Sequence, residues 1–88
     1  MNDRHILLVE DDKTLHALIE KLLINNDFLV SKAIDIGEAR KLVKLFLFDL
    51  IILDVMLPDS TGLEFYENTI KNRINTPVIF LSALSNVD

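Results

Sequence analysis

The sequence predicts an α/β fold built on a doubly wound parallel sheet of four strands in the order 2-1-3-4 with three helices. Short apolar runs at 5–9, 28–33, 50–53 and 78–81 alternate with longer stretches of helical periodicity, and that alternation implies right-handed βαβ units and a parallel sheet. Leu50-Ile51-Ile52-Leu53 is apolar without alternation, which suits a strand buried on both faces. The first run ends at Glu10-Asp11-Asp12, the third at Asp54 and the fourth at Ser82. In open parallel sheets ligands bind beyond the strands' C-terminal edge, so polar groups placed there are better situated for chemistry than for packing.

Taken in order, His5 to Val9 reads as the first strand. From Lys13 to Asn26, the positions Leu15, Leu18, Ile19, Leu22 and Leu23 follow the spacing of an amphipathic helix. Asp12 is placed to cap its start, and Asn25-Asn26-Asp27 is a stop signal. Phe28 to Ala33 is expected to be an edge strand, less buried at its far end, where Ser31 and Lys32 fall. Asp35 with Glu38 three residues later forms a capping-box-like pair opening the second helix, whose buried stripe is Ile36, Ala39, Leu42, Val43 and Phe46. After the central strand, Pro58 and Gly62 bracket a loop, and Ser60 or Thr61 can cap a third helix from Leu63 to about Asn72. Its inward candidates are Leu63, Tyr66 and Ile70. Asn75-Thr76-Pro77 is a turn, and Val78 to Leu81 is the fourth strand. The Phe and Leu positions are expected in the core, and His5 and His16 at the surface or hydrogen-bonded, since neither has a His or Cys partner at metal-site spacing.

Length and composition narrow the function. The 88 residues are half apolar, 26% charged and free of cysteine, which makes one globular domain without disulfide, thiolate metal site or thiol chemistry. A mean hydropathy of +0.32 is high for so small a chain and implies exposed or partner-covered apolar surface. The formal charge of −5 and scattered basic residues argue against a nucleic-acid surface. No run approaches membrane-spanning length and the N-terminus lacks a signal peptide's pattern, so a cytoplasmic protein without membrane contact is expected.

Carboxylates gathered at one strand edge repel and raise each other's pKa unless they share a cation. Mg²⁺ is the natural choice, because it takes oxygen ligands and often binds through one or two carboxylates plus phosphate oxygens. With the ion present, Asp54 stays ionised and can attack phosphorus to give an aspartyl phosphate. The plainer readings are a strand-end Asp in a loop hydrogen bond, a solvated acidic turn, and a turn-forming serine at Ser82.

Val9-Glu10-Asp11-Asp12, Leu53-Asp54-Val55-Met56-Leu57-Pro58, Gly62-Leu63-Glu64 and Ser82-Ala83 together resemble a bacterial two-component response-regulator receiver domain of flavodoxin-like fold. The resemblance covers essentially all of 1–88. It implies that Asp54 is the phosphoacceptor serving a sensor histidine kinase, that Asp11 binds Mg²⁺ directly, and that Glu10 acts through water. It also implies that Met56 offers its backbone carbonyl to the ion, and that Ser82 swings toward the phosphoryl oxygens on activation. Receivers further contain a fourth helix, a fifth strand ending in Lys-Pro and a fifth helix. Lys71, in the third helix, is the last lysine here, so no residue of 1–88 takes the phosphate-binding lysine's role. The expectation is therefore an incomplete doubly wound sheet, a receiver truncated after the fourth strand with no output domain. The Pro58 loop and Ser82-Ala83-Leu84-Ser85 resemble receivers of winged-helix DNA-binding response regulators, which implies transcription regulation.

Two function classes follow. The first is a signalling module, a phosphoacceptor rather than an enzyme. The second is a phosphotransfer-impaired fragment acting as a structural or oligomerising module, because losing one preorganised cation commonly costs about 10²–10³ in rate. A haloacid-dehalogenase-like phosphatase needs a second Asp two residues after the nucleophile, where Met56 stands. The fourth strand's open edge predicts a homo-oligomer.

Overall fold

The computed structural model describes residues 4–57, 61–70 and 75–81. It contains strands β1 (His5–Val9), β2 (Leu29–Ala33), β3 (Leu50–Asp54) and β4 (Val78–Leu81) and helices α1 (Lys13–Asn25), α2 (Ile36–Leu45) and α3 (Gly62–Phe65). One further turn of π-helix, Tyr66–Ile70, extends α3. The four strands form one sheet in the order β2-β1-β3-β4, every pairing parallel. Parallel neighbours need crossovers, and α1, α2 and α3 supply them.

The caps form as the sequence implies. Asp12 Oδ1 accepts the Leu15 N–H at 3.0 Å, and Asp35 Oδ1 accepts the Glu38 N–H at 2.8 Å. Glu38 Oε1 reaches back to the Ile34 N–H at 2.9 Å, and Thr61 Oγ1 accepts the Glu64 N–H at 3.1 Å. Each satisfies an amide that a helix start would otherwise leave unpaired.

Successive β residues point to opposite faces, so the strands feed two separate cores. On one face Leu7, Val9, Ile51 and Leu53 pack with Ile36 and Ala39 of α2 and Phe65 of α3. On the other, Ile6, Leu8 and Ile52 meet Ile19 and Leu23 of α1. The second core is the smaller.

Several expected core positions lie elsewhere. Leu15, Leu18 and Leu22 of α1 are exposed, Leu18 by 66%, because the helix turns Ile19 and Leu23 toward the sheet. His16 is buried, and its Nε2 finds no hydrogen-bond partner among the described residues, contrary to the surface or bonded position expected. His5 Nε2 does bond, to Ser31 Oγ at 2.6 Å. Burial along β2 follows expectation only in part: Lys32 is exposed and Ser31 half-buried, but Leu29 at the near end is exposed too and Ala33 at the far end is buried, where it joins the α2 core. Phe46 caps α2 from beyond its last turn and is exposed, as are Leu45 and Leu47. In α3, Phe65 rather than Leu63 points inward, Leu63 being exposed, and Tyr66 packs at the edge of the core. The side chain of Ile70, and Asn72, lie outside the described residues.

Replacing Leu7, fully buried in β1, by Ala is expected to cost about 2–5 kcal/mol of unfolding free energy. Leu18→Ala on the exposed side of α1 should stay within about 0.5 kcal/mol. Urea titration of both variants followed by circular dichroism checks the contrast, and equal losses would contradict the placement of these two leucines.

Candidate functional site

The acids meet because β1 and β3 are neighbours. Val9 pairs with Leu53, so Glu10 and Asp54, the next residue of each chain segment, emerge side by side at the C-terminal edge of the sheet. The Glu10 N–H donates to the Ala33 carbonyl at 3.0 Å, which ties the end of β1 to β2 before the chain turns into α1. One carboxylate oxygen from each of Glu10, Asp11 and Asp54 falls within 4.8 Å of the others. Glu10 and Asp54 are buried, and Asp11 is exposed. The site therefore has a buried floor and an open rim.

Gathering these charges has an electrostatic consequence at Glu10. Burial, foremost, pushes its carboxyl up from 4.5 to about 7. The charge of Asp54, a hydrogen bond with its carboxyl and the charge of Asp11 push the same way. The Asp12 N–H, donated to Glu10 Oε2 at 3.0 Å, opposes them. Asp54 Oδ1 accepts the Met56 N–H at 3.1 Å, and the Val55 N–H donates to the Leu81 carbonyl at 3.1 Å. The phosphorus-attacking candidate thus sits on a peptide held by β4, with its carboxylate steadied by the chain just beyond it.

Residues 6–88 match the family described as response regulator receiver domain. The chain belongs to that family. It is 39% identical over 79 residues to Protein PetR of Rhodobacter capsulatus, an alignment covering 90% of this chain and 33% of that one. With the cell cycle transcriptional regulator CtrA of Caulobacter vibrioides it shares 38% over 84 residues, 94% of this chain and 36% of the other. It thus spans about a third of the length of these two relatives. Among solved structures it is similar to the response regulator TrrA of Thermotoga maritima in complex with Mg²⁺–BeF, at 29% identity and a TM-score of 0.83, covering 91% of this chain and 70% of that one.

The receiver's acidic cluster is the three residues expected, Glu10, Asp11 and Asp54. Met56 lies two residues beyond Asp54, exposed and in an isolated antiparallel bridge with Thr61. Ser82, Pro58, Ser60 and Lys71 lie outside the described residues. Leu81, the residue before Ser82, is in register with Asp54. The donor set fits Mg²⁺: it is all oxygen, closely spaced, mutually repelling and open on the Asp11 side. A cleft of about 230 Å³ next to it is lined by Glu10, Asp11, Lys13, His16, Glu20 and Lys32 among others. The sequence reading did not connect those last four residues with the site. The i, i+4 spacing of His16 and Glu20 on α1 was the available signal. Lys32 is held to Glu20 at 3.4 Å. Among the described residues no helix is long and apolar enough to cross a membrane.

The raised Glu10 carboxyl fixes a pH dependence. Between 4.5 and about 7 the native state holds a proton that the unfolded chain has released, so this group's contribution to stability is full below 4.5 and is lost as pH rises through about 7. Glu10→Gln keeps the shape and removes the titration. Urea midpoints at pH 5 and pH 8 without divalent ions should therefore fall more for the wild type than for the variant, and an equal fall would contradict the buried, charge-crowded Glu10.

Proposed function

We propose that this receiver domain accepts a phosphoryl group on Asp54 from a sensor histidine kinase, with Mg²⁺ held by Asp11 and Asp54, by Glu10 through water, and by the Met56 carbonyl. The observation that carries this is the convergence of three carboxylates at the β1–β3 edge, where their mutual repulsion calls for a shared cation. Bound there, the ion would supply positive charge against the oxygens of Asp54 and of the incoming phosphoryl group. Asp54 Oδ2, the oxygen not engaged by the Met56 N–H, is the attacking atom. Ser82 is assigned the hydroxyl that turns to the phosphoryl oxygens. The domain is a phosphoacceptor rather than a turnover enzyme, and its similarity to transcriptional regulators, CtrA among them, supports a role in transcriptional control, without nucleic-acid contact by 1–88 itself.

Incubating the chain with acetyl phosphate and Mg²⁺ is expected to add one phosphoryl group, seen by intact-mass spectrometry, labile to hydroxylamine and absent from Asp54→Asn. A folded wild type that takes no label, or an adduct that survives Asp54→Asn, would remove this reading in favour of a phosphotransfer-impaired interaction module.

The outer edge of β4 pairs with no strand among the described residues, and Ile79 and Phe80 on it are exposed. An unpaired apolar edge favours strand pairing with a second copy, so the 88-residue chain is expected to self-associate at high micromolar concentration. Sedimentation velocity tests this, and a monodisperse monomer there would count against it.

A further inference from the structure

Gly62, the first residue of α3, is buried. No described glycine has positive φ, so the backbone at Gly62 would accept alanine, and the demand for glycine is one of space. A Cβ there would overlap the Asp54 carbonyl oxygen and stand 3.0 Å from the Asp54 carbonyl carbon and 3.1 Å from Leu53 Cγ. The obstruction is backbone, which cannot rotate away as a side chain can.

The same few residues close the loop around the acid. The Gly62 N–H donates to the Val55 carbonyl at 2.7 Å, and Thr61 bridges Met56 across the loop. The Met56 N–H in turn reaches Asp54 Oδ1 at 3.1 Å. A methyl group at position 62 forces either the Asp54–Val55 peptide or the start of α3 to move. That peptide is anchored in the sheet by the Val55 N–H on the Leu81 carbonyl and by the Asp54–Leu81 register. Helix α3 has only 4 residues before its π-helical turn, so it is the part that yields. Its retreat would lift Gly62 from Val55, loosen the Thr61–Met56 bridge and withdraw the Met56 N–H from Asp54.

We propose that Gly62 is a positioning residue of the acidic site: by lacking a side chain it lets α3 seat on the Asp54 carbonyl, which holds the Met56 N–H on Asp54 Oδ1 and fixes where both the carboxylate and the Met56 carbonyl stand. The structural part needs no assumption about function. Its consequence for Mg²⁺ rests on the phosphoacceptor reading.

The test compares wild type, Gly62→Ala and Ile6→Val, the last a change in the opposite core expected to lower stability without touching the loop. For each, the Met56 amide resonance is recorded by ¹⁵N NMR, and labelling by acetyl phosphate is followed across a Mg²⁺ series. Gly62→Ala should displace the Met56 amide and raise half-saturating Mg²⁺ by about 10- to 100-fold, the range seen when residues supporting metal ligands are lost; Ile6→Val should do neither. A Gly62→Ala protein with a wild-type Met56 resonance and wild-type Mg²⁺ dependence overturns the proposal and leaves the phosphoacceptor reading intact. A wild type that takes no label, beside a displaced Met56 amide in Gly62→Ala, removes the function and supports the positioning role. Should Gly62→Ala fail to fold, the wild-type Gly62 amide decides: slow solvent exchange supports the closed loop, and exchange at the unprotected rate overturns it.

Discussion

The rest of the structure is arranged around the repulsion among three carboxylates at one end of the sheet. Glu10 is buried, where the charged form of a carboxyl is disfavoured, and it lies close enough to Asp54 and Asp11 for their charges to add to that cost. Such an arrangement survives because it is imposed from outside the site. Adjacent parallel strands fix Val9 against Leu53, and the fully buried Leu7, Val9, Ile51 and Leu53 on one face, with Ile6 and Leu8 on the other, leave those strands no freedom to slip. A one-residue slip would turn every side chain to the opposite face. Glu10 responds in the one way open to it, by keeping its proton up to about pH 7.

The two faces of that sheet are unequally covered. Among the described residues, the face under α2 and α3 buries nine residues in one cluster, whereas the face under α1 buries three. Leu15, Leu18 and Leu22 of α1 stay exposed, together with Ile79 and Phe80 on β4. This is where the high mean hydropathy goes: the apolar residues are real, but a single helix cannot turn all of them toward a sheet. The receiver's acidic end is held mainly by the better-packed face, since Ala33, Ile36, Leu53 and Phe65 belong to it.

The helix caps at Asp12 and Asp35, and Thr61 as one of two candidates beside Ser60, were legible from local side-chain chemistry, whereas the strand order and the meeting of Glu10, Asp11 and Asp54 were legible only once the alternating apolar runs were taken as a doubly wound sheet, in which β1 and β3 are neighbours. Which side of α1 faces inward was not. Leu18 and Leu22 belong to the apolar stripe by spacing, and only the position of the sheet decides that Ile19, Leu23 and His16 take the buried face. The burial of Ala33 was not legible either, since only the packing of α2 back onto the sheet places Ile36 and Ala39 in one cluster with it. Gly62 shows the limit most clearly. In sequence it marks a loop's end; in three dimensions it is the point where α3 touches the backbone of Asp54.

Asp54 stands where paired strands give way to a loop and a short helix. On one side Glu10 and Asp54 are fixed by paired strands. On the other, among the described residues, the Gly62 N–H donates to the Val55 carbonyl, Met56 bridges Thr61, and the helix that follows changes from α to π geometry after Phe65, a change that elsewhere often marks functional segments. Tyr66 at that change stacks edge-on against Phe80 of β4, their centroids 5.5 Å apart, which links the helical segment to the fourth strand. A phosphoryl group would add roughly two negative charges to this crowded edge. The strands are held by pairing and burial, so on the phosphoacceptor reading that charge would be met by a bound cation and by the lysines Lys13 and Lys32 that line the neighbouring cleft.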